Sequence, residues 1–166
     1  LLSVDLSGLE NMDAQLYVYN NDNMESLDLS SLSVMDGDLE INNNDVLEEL
    51  SFPALREIEG SLYIYYQGSA TRFSAPSLET ISNSLYLSSN SDMESIDLGG
   101  LTEVGAQIYL ESNDSLESID MGSLEEASSS INLWYNYQLQ SVDFSALQTV
   151  GSTFFIYYNT DLVYLG

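Results

Sequence analysis

Apolar residues return every 23 positions along this chain, with no insertion or deletion between seven copies. The clearest column consists of Leu16, Leu39, Leu62, Leu85, Ile108, Ile131 and Phe154. A fixed period of about 20–50 residues is the sequence signature of a solenoid. Apolar and polar residues alternate at 16–18 and 27–29, which is the period of short strands, and no stretch has helical spacing. We therefore predict an all-β, right-handed parallel β-solenoid of seven 23-residue coils.

Six further apolar columns have the same period and should point into the core. Their members in the second copy are Ile41, Met24, Leu27, Leu29, Leu32 and Met35. The pattern predicts two short strands and an extended turn in each coil. We expect residues 1–166 to form one domain, since the repeat runs from end to end, starts and stops within a copy, and shows no polar capping repeat. Because solenoids need such caps, we expect a fragment of a longer repeat protein.

One column stays polar and follows the most regular strand. It contains Asn21, Asn44, Gln67, Asn90, Asn113, Asn136 and Asn159. An amide side chain offers both donors and an acceptor, so it can bond backbone groups that a turn leaves free. Stacked amides can also bond one another along a solenoid axis. We predict a structural amide ladder at this corner.

The segments 116–124 (LESIDMGSL) and 101–113 (LTEVGAQIYLESN) resemble receptor L-domain repeats. They are similar, less closely, to the leucine-rich repeats of bacterial surface antigens. The resemblance implies a β-solenoid that is secreted or displayed on a cell surface and that carries no catalytic residues. The regular repeats and the absence of disulfide-rich neighbours favour the microbial or fungal wall-protein branch of that family.

Charge and composition exclude several classes of function. The chain has 27 Asp and Glu against two Arg, which gives a net charge of −25. Nucleic acids and anionic membrane surfaces are bound through Lys and Arg, so neither is an expected partner. No apolar run is long enough for membrane insertion. His, Cys and Lys do not occur, which excludes triads and His or Cys metal sites. The carboxylates repeat with the coil instead of clustering, and we predict that the protein is not an enzyme.

Aromatic side chains concentrate in two outward columns of one strand. They are Tyr17, Tyr19, Tyr63, Tyr65, Tyr86, Tyr109, Trp134, Phe155 and Tyr157. Neighbouring coils lie about 4.8 Å apart, so these rings should form a continuous exposed stripe. The rings could simply stabilise the sheet by stacking on one another. They could instead form a flat binding face for a protein, a glycan or a second copy of the chain, since exposed apolar patches usually have partners.

These patterns predict an extracellular structural or adhesive module that presents the aromatic face. A filament of subunits stacked end to end is one alternative hypothesis. Ice binding is another, although regular Thr columns are absent. A third is calcium bound between Asp97, Asp120 and Asp143, which belong to an outward acidic column. Calcium takes six to eight oxygen ligands, so water or glutamates would have to contribute. No other cofactor is expected.

Overall fold

The structure is a computed structural model that describes residues 2–166; Leu1, where the predicted domain begins, lies outside the described residues. The described chain is a parallel β-solenoid without helices, which confirms the predicted fold class. Wherever two strands pair, their partner residues are 23 positions apart, as Leu85 and Ile108 are. The described residues contain no helix of the length and apolarity that a membrane crossing requires.

The strands, numbered β1 to β22 in chain order, form three flat faces. Face 1 contains β1 (Ser3–Asp5), β4 (Ser26–Asp28), β7 (Glu49–Ser51), β10 (Arg72–Ser74), β13 (Ser95–Asp97), β16 (Ser118–Asp120), β19 (Ser141–Asp143) and β22 (Tyr164–Leu165). Face 2 contains β2 (Asn11–Met12), β5 (Val34–Met35), β8 (Glu57–Ile58), β11 (Thr80–Ile81), β14 (Glu103–Val104), β17 (Glu126–Ala127) and β20 (Thr149–Val150). Face 3 contains β3 (Leu16–Tyr19), β6 (Leu39–Asn42), β9 (Leu62–Tyr65), β12 (Leu85–Ser88), β15 (Ile108–Glu111), β18 (Ile131–Trp134) and β21 (Phe154–Tyr157). Faces 2 and 3 are unbroken seven-stranded sheets, whereas the pairing in face 1 is interrupted between β4 and β7.

The coil has three strands where the sequence predicts two. The extra strand is the two-residue element of face 2, which lies in the region predicted as an extended turn. Each of these strands has a single inward residue, such as Met35 or Ile58. A strand is recognised in sequence by alternation over several residues, and one inward position is too little to show it.

The inward side chains of all three faces meet in one apolar core. Leu39 of face 3, Leu50 of face 1 and Ile58 of face 2 are each at most 1% exposed. The same columns are more open in the last coil, where Ile156 is 46% exposed. Burial of these columns is the main stabilising contribution, because removing apolar surface from water dominates folding.

The corner that follows face 3 bends the chain through a left-handed residue in every coil. Asn20, Asn43, Tyr66, Ser89, Ser112, Tyr135 and Tyr158 have φ between 50° and 57°. This conformation costs about 1–2 kcal/mol for a residue other than Gly, and least for Asn. The next residue in each coil is the amide of the predicted ladder. The amide therefore acts where the backbone is strained.

Asn113 shows how one amide of the ladder is bonded. Its Nδ2 donates to the carbonyl of Leu87 in the preceding coil at 3.0 Å and to Oδ1 of Asn136 at 3.2 Å. Its own Oδ1 accepts from the backbone N–H and the Nδ2 of Asn90, at 3.1 and 3.2 Å. Asn113 is fully buried, as are Asn90 and Asn136. Each amide thus bonds the coil before it and the coil after it, which holds the corners in register.

Gln67 is the one ladder position in which the amide is displaced by an extra methylene. Its backbone N–H still donates to Asn90, and its Nε2 donates to the carbonyl of Tyr65. Its Oε1 is buried without a hydrogen-bond partner, and no bond from Asn44 reaches it among the described residues. The ladder is therefore interrupted between the coils of Asn44 and Gln67.

We expect Gln67→Asn to stabilise the protein. The shorter side chain would place its oxygen where the backbone N–H and Nδ2 of Asn44 can donate to it. The unpaired buried oxygen would then be satisfied, and the free energy of unfolding should rise by about 1 kcal/mol. Urea denaturation of the two proteins, followed by circular dichroism, measures the difference.

The matched control is Asn113→Gln, which introduces the same methylene into an intact part of the ladder. It should lower the free energy of unfolding by about 1–3 kcal/mol, because Asn90 loses its acceptor. Equal effects of the two substitutions would show that the ladder does not discriminate between Asn and Gln.

Candidate functional site

Face 3 is the most regular surface of the molecule and holds the predicted aromatic residues. Its inward side chains, such as Leu85 and Leu87, are fully buried. The alternation of the strand turns Tyr86 outward between them, where it is half-buried. All nine aromatic residues predicted from the sequence lie on outward positions of this face. The sheet therefore carries them as one surface.

Tyr63, Tyr86 and Tyr109 form a stack that runs along the solenoid axis. The ring centroids of Tyr63 and Tyr86 are 5.1 Å apart and their planes differ by 15°. Tyr86 and Tyr109 are 5.4 Å apart, with planes that differ by 26°. Each ring covers the face of its neighbour. The stack consequently turns ring edges rather than ring faces outward, and the Tyr86 hydroxyl donates to Oε1 of Gln107 at 3.3 Å.

Trp134 continues the stack beyond Tyr109, where the column of the three Tyr residues changes to the polar Asn132. Asn132 occupies the next outward position in line with Tyr109, and it is buried. The Trp134 ring lies 5.7 Å from Tyr109 and 5.8 Å from Phe155, so it bridges the two. Its Nε1–H is buried and has no acceptor within residues 2–166. Packing against the neighbouring rings, rather than a hydrogen bond, therefore positions this indole.

The aromatic stripe is shorter than the sequence predicts. Tyr17 and Tyr19 contact each other at 6.5 Å but lie apart from the other rings. Glu40 stands between Tyr17 and Tyr63 in the column, and it interrupts the stack. We therefore define the aromatic stripe as the five residues in continuous contact, Tyr63, Tyr86, Tyr109, Trp134 and Phe155.

Glu40 is held by a small hydrogen-bond network at the edge of the stripe. Its carboxylate accepts from the Tyr65 hydroxyl and, at 2.6 Å, from Nδ2 of Asn42. Asn42 also donates to the Tyr65 oxygen at 3.1 Å. Burial and the adjacent Glu40 carboxylate raise the pKa of Tyr65 to about 12. The charge of Glu40 is thus already engaged within the protein.

A second group of rings lies beside the stripe, and of its members only Tyr157 was predicted from the sequence. Tyr135 and Tyr158 occupy the left-handed corner positions and stack at 5.3 Å with planes 16° apart. Tyr157 contacts both rings edge to face, and Tyr137 lies 6.3 Å from Tyr135. The signal was the spacing of 23 between Tyr135 and Tyr158. The pair falls outside the two strand columns in which aromatic residues were predicted, because both positions directly follow the end of a strand.

Glu111 is the other carboxylate on face 3, and its surroundings differ from those of Glu40. It pairs in register with Trp134 and lies two residues after Tyr109 on the same strand. Desolvation, with the Glu111 charge as the second cause, raises the pKa of Tyr109. Neither cation of the chain lies on this face, because Arg72 belongs to face 1 and Arg56 directly precedes face 2. Face 3 is therefore aromatic and anionic.

The acidic column for which calcium binding was predicted accepts hydrogen bonds in the turns that follow the strands of face 1. Asp120 accepts the backbone N–H of Gly122 at 3.0 Å, and Asp143 accepts that of Ser145 at 2.9 Å. The bonds from Ser145 hold the pKa of Asp143 below its usual value. Asp97 forms an ion pair with Arg72 at 2.9 Å. Residues 2–166 contain no group of three or more acidic side chains arranged to hold a metal ion. Calcium binding stays a prediction, without a ligand set in the geometry to support it.

Comparisons with known proteins do not extend this description. No family model, curated protein or solved structure matches the chain. The solenoid architecture therefore rests on the chain's own repeat and geometry.

Removing a ring from the middle of the stack should cost more stability than removing an isolated one. We expect Tyr86→Ser to lower the free energy of unfolding by about 2–4 kcal/mol. The substitution removes the stacking contacts with Tyr63 and Tyr109 and the apolar area that the ring buries. Tyr17→Ser, which removes no ring–ring contact with a neighbouring coil, should cost less than about 1 kcal/mol. Chemical denaturation distinguishes the two, and equal losses would argue that stacking between coils contributes nothing.

The Tyr65 network should give a dependence of stability on pH at the alkaline end. Because the folded-state pKa is raised from 10.0 to about 12, the contribution of Tyr65 is complete below pH 10. It should be lost as the pH rises from 10 to 12, where the unfolded chain releases the proton first. The measurement is the difference in unfolding free energy between the protein and Tyr65→Phe across this range. A difference that stays constant to pH 12 would contradict the raised pKa.

Proposed function

We propose that this chain is a non-catalytic adhesive module that binds another macromolecule through face 3. The observation that supports the proposal is the aromatic stripe, five rings in continuous contact on the outward side of one sheet. Tyr and Trp supply large contact areas with little loss of side-chain entropy, and they are enriched in binding surfaces. A row of such rings suits a flat contact better than a pocket.

The way the rings are held would favour binding. The stripe is built on the unbroken seven-stranded sheet of face 3, and the amide ladder lies at its corner. Stacked neighbours restrict each ring before any partner arrives. Less conformational entropy is then lost on association, which is the usual advantage of a preorganised surface.

Display outside a cell is part of the proposal. The repeat segments resemble receptor L-domain repeats, and the regularity of the coils favours the microbial or fungal wall-protein branch. The high negative charge would keep such a module soluble and separate from nucleic acids and anionic lipids. The absence of His, Cys and Lys from the sequence supports a role without catalysis.

The first test compares the protein with the triple variant Tyr63→Ser/Tyr86→Ser/Tyr109→Ser. Self-association is measured by sedimentation, and binding is measured on an array of glycans and purified extracellular proteins. We expect the parent chain to bind a protein or a second copy of itself, and the triple variant to lose that contact. Circular dichroism checks that the variant keeps its β-sheet signal.

The matched control replaces three outward residues of face 2, as Glu57→Ser/Thr80→Ser/Glu103→Ser. These side chains lie on three neighbouring strands of face 2, in the same three coils as Tyr63, Tyr86 and Tyr109 but on a different face. Binding should be retained in this variant. Loss of binding in both triple variants, or no binding by the parent chain, would contradict the proposal. Long particles formed by both triple variants would instead favour the filament hypothesis.

A further inference from the structure

Glu111 is a charged side chain on the aromatic stripe that has no partner of its own. Its backbone carbonyl accepts from Ser89, but no hydrogen bond or ion pair engages its carboxylate among the described residues. The side chain is half-buried between neighbouring coils. Glu40, the other carboxylate on the face, is satisfied by Tyr65 and Asn42. Only Glu111 therefore offers an unused negative charge among the rings.

The rings around Glu111 are suited to a cation. Trp134 is its register partner in the next coil, and Tyr109 precedes it on the same strand. A guanidinium or ammonium group near the face of a Trp or Tyr ring is attracted to the ring, most strongly for Trp. Trp134 meets Tyr109 at 53° and Phe155 at 86°, so neither neighbouring ring stacks parallel on its indole, and the residue is only half-buried. A carboxylate beside such a ring adds a charge-assisted hydrogen bond.

We propose that Glu111, flanked by Trp134 and Tyr109, receives an arginine side chain from a protein partner that docks on the aromatic stripe. This inference rests on the proposed function and names the chemistry of the partner. Charge complementarity favours a basic partner, because the net charge is −25 and both cations lie off this face. Arginine fits better than lysine, since its planar guanidinium can stack on an indole and bond a carboxylate in the same pose.

The same geometry favours a protein over a glycan. Sugars stack on exposed ring faces, but the faces of Tyr63 and Tyr86 are turned toward each other at 5.1 Å. A row of ring edges and hydroxyl groups offers little stacking area to a sugar and a flat contact area to a protein surface.

Trp134 allows a direct test, because it is the only Trp of the chain and lies next to Glu111. A short synthetic peptide of alternating Arg and Gly is titrated into the protein at about 0.15 M salt, where distant charges are screened. Trp134 fluorescence should change and saturate. The affinity should fall at least about fivefold in Glu111→Gln, an isosteric change that removes the charge.

Glu103→Gln is the matched control, since it removes the same charge from an exposed position on face 2. It should change the affinity by less than about twofold. Equal losses in the two variants would show diffuse attraction and overturn the inference, as would the absence of any peptide-induced change at Trp134. A Lys–Gly peptide that binds as tightly as the Arg–Gly peptide would overturn the assignment to arginine.

The outcomes also separate this inference from the proposed function. If Glu111→Gln does not change the affinity for the Arg–Gly peptide while the triple ring variant loses its macromolecular contact, the adhesive face is supported and the arginine site is contradicted. If the triple ring variant keeps every macromolecular contact of the parent chain, the proposed adhesive face itself is contradicted.

Discussion

The register between successive coils is the constraint on which the rest of this molecule depends. Every pair of residues joined in register between two strands is 23 positions apart. The amide ladder, which lies at the corner after face 3, joins residues of the same spacing. A coil that was longer or shorter by one residue would turn its inward side chains outward, because successive residues of a strand face opposite sides. It would also leave a buried amide without its partners, at a cost of about 1–3 kcal/mol. The apolar core and the amide ladder therefore favour the same coil length of 23 residues.

The ladder explains how the chain tolerates strain at its corner. A left-handed Tyr or Ser costs about 1–2 kcal/mol, and it recurs at Ser89, Ser112 and Tyr135. The following amide forms several bonds to neighbouring coils, each with a net value of about 1 kcal/mol. The bonded amide thus offsets the strained residue beside it. The same corner sets where β9, β12 and β15 end, and so fixes the rings of Tyr63, Tyr86 and Tyr109 in line.

Sequence pattern was sufficient for the repeated features and insufficient for the singular ones. The columns through Leu85 and Asn113 were readable because repetition identifies positions that must be equivalent. The third strand was missed, since Met35 alone cannot show alternation. The hydrogen bonds of Glu40 and the bridging role of Trp134 depend on the side chains in the adjacent coil. Spacing places residues on a face, but it does not determine the rotamers that decide which rings touch.

The central claim is that the amide ladder and the aromatic stripe form one ordered unit of the folded chain. Hydrogen exchange under native conditions, resolved to single amides by NMR, tests this most directly. The side-chain amides of Asn90 and Asn113 and the backbone amides of β12 and β15 should exchange only through global unfolding, with one common free energy. Exchange of β12 and β15 through a local opening of much lower free energy, while the core of face 2 stays protected, would contradict the account.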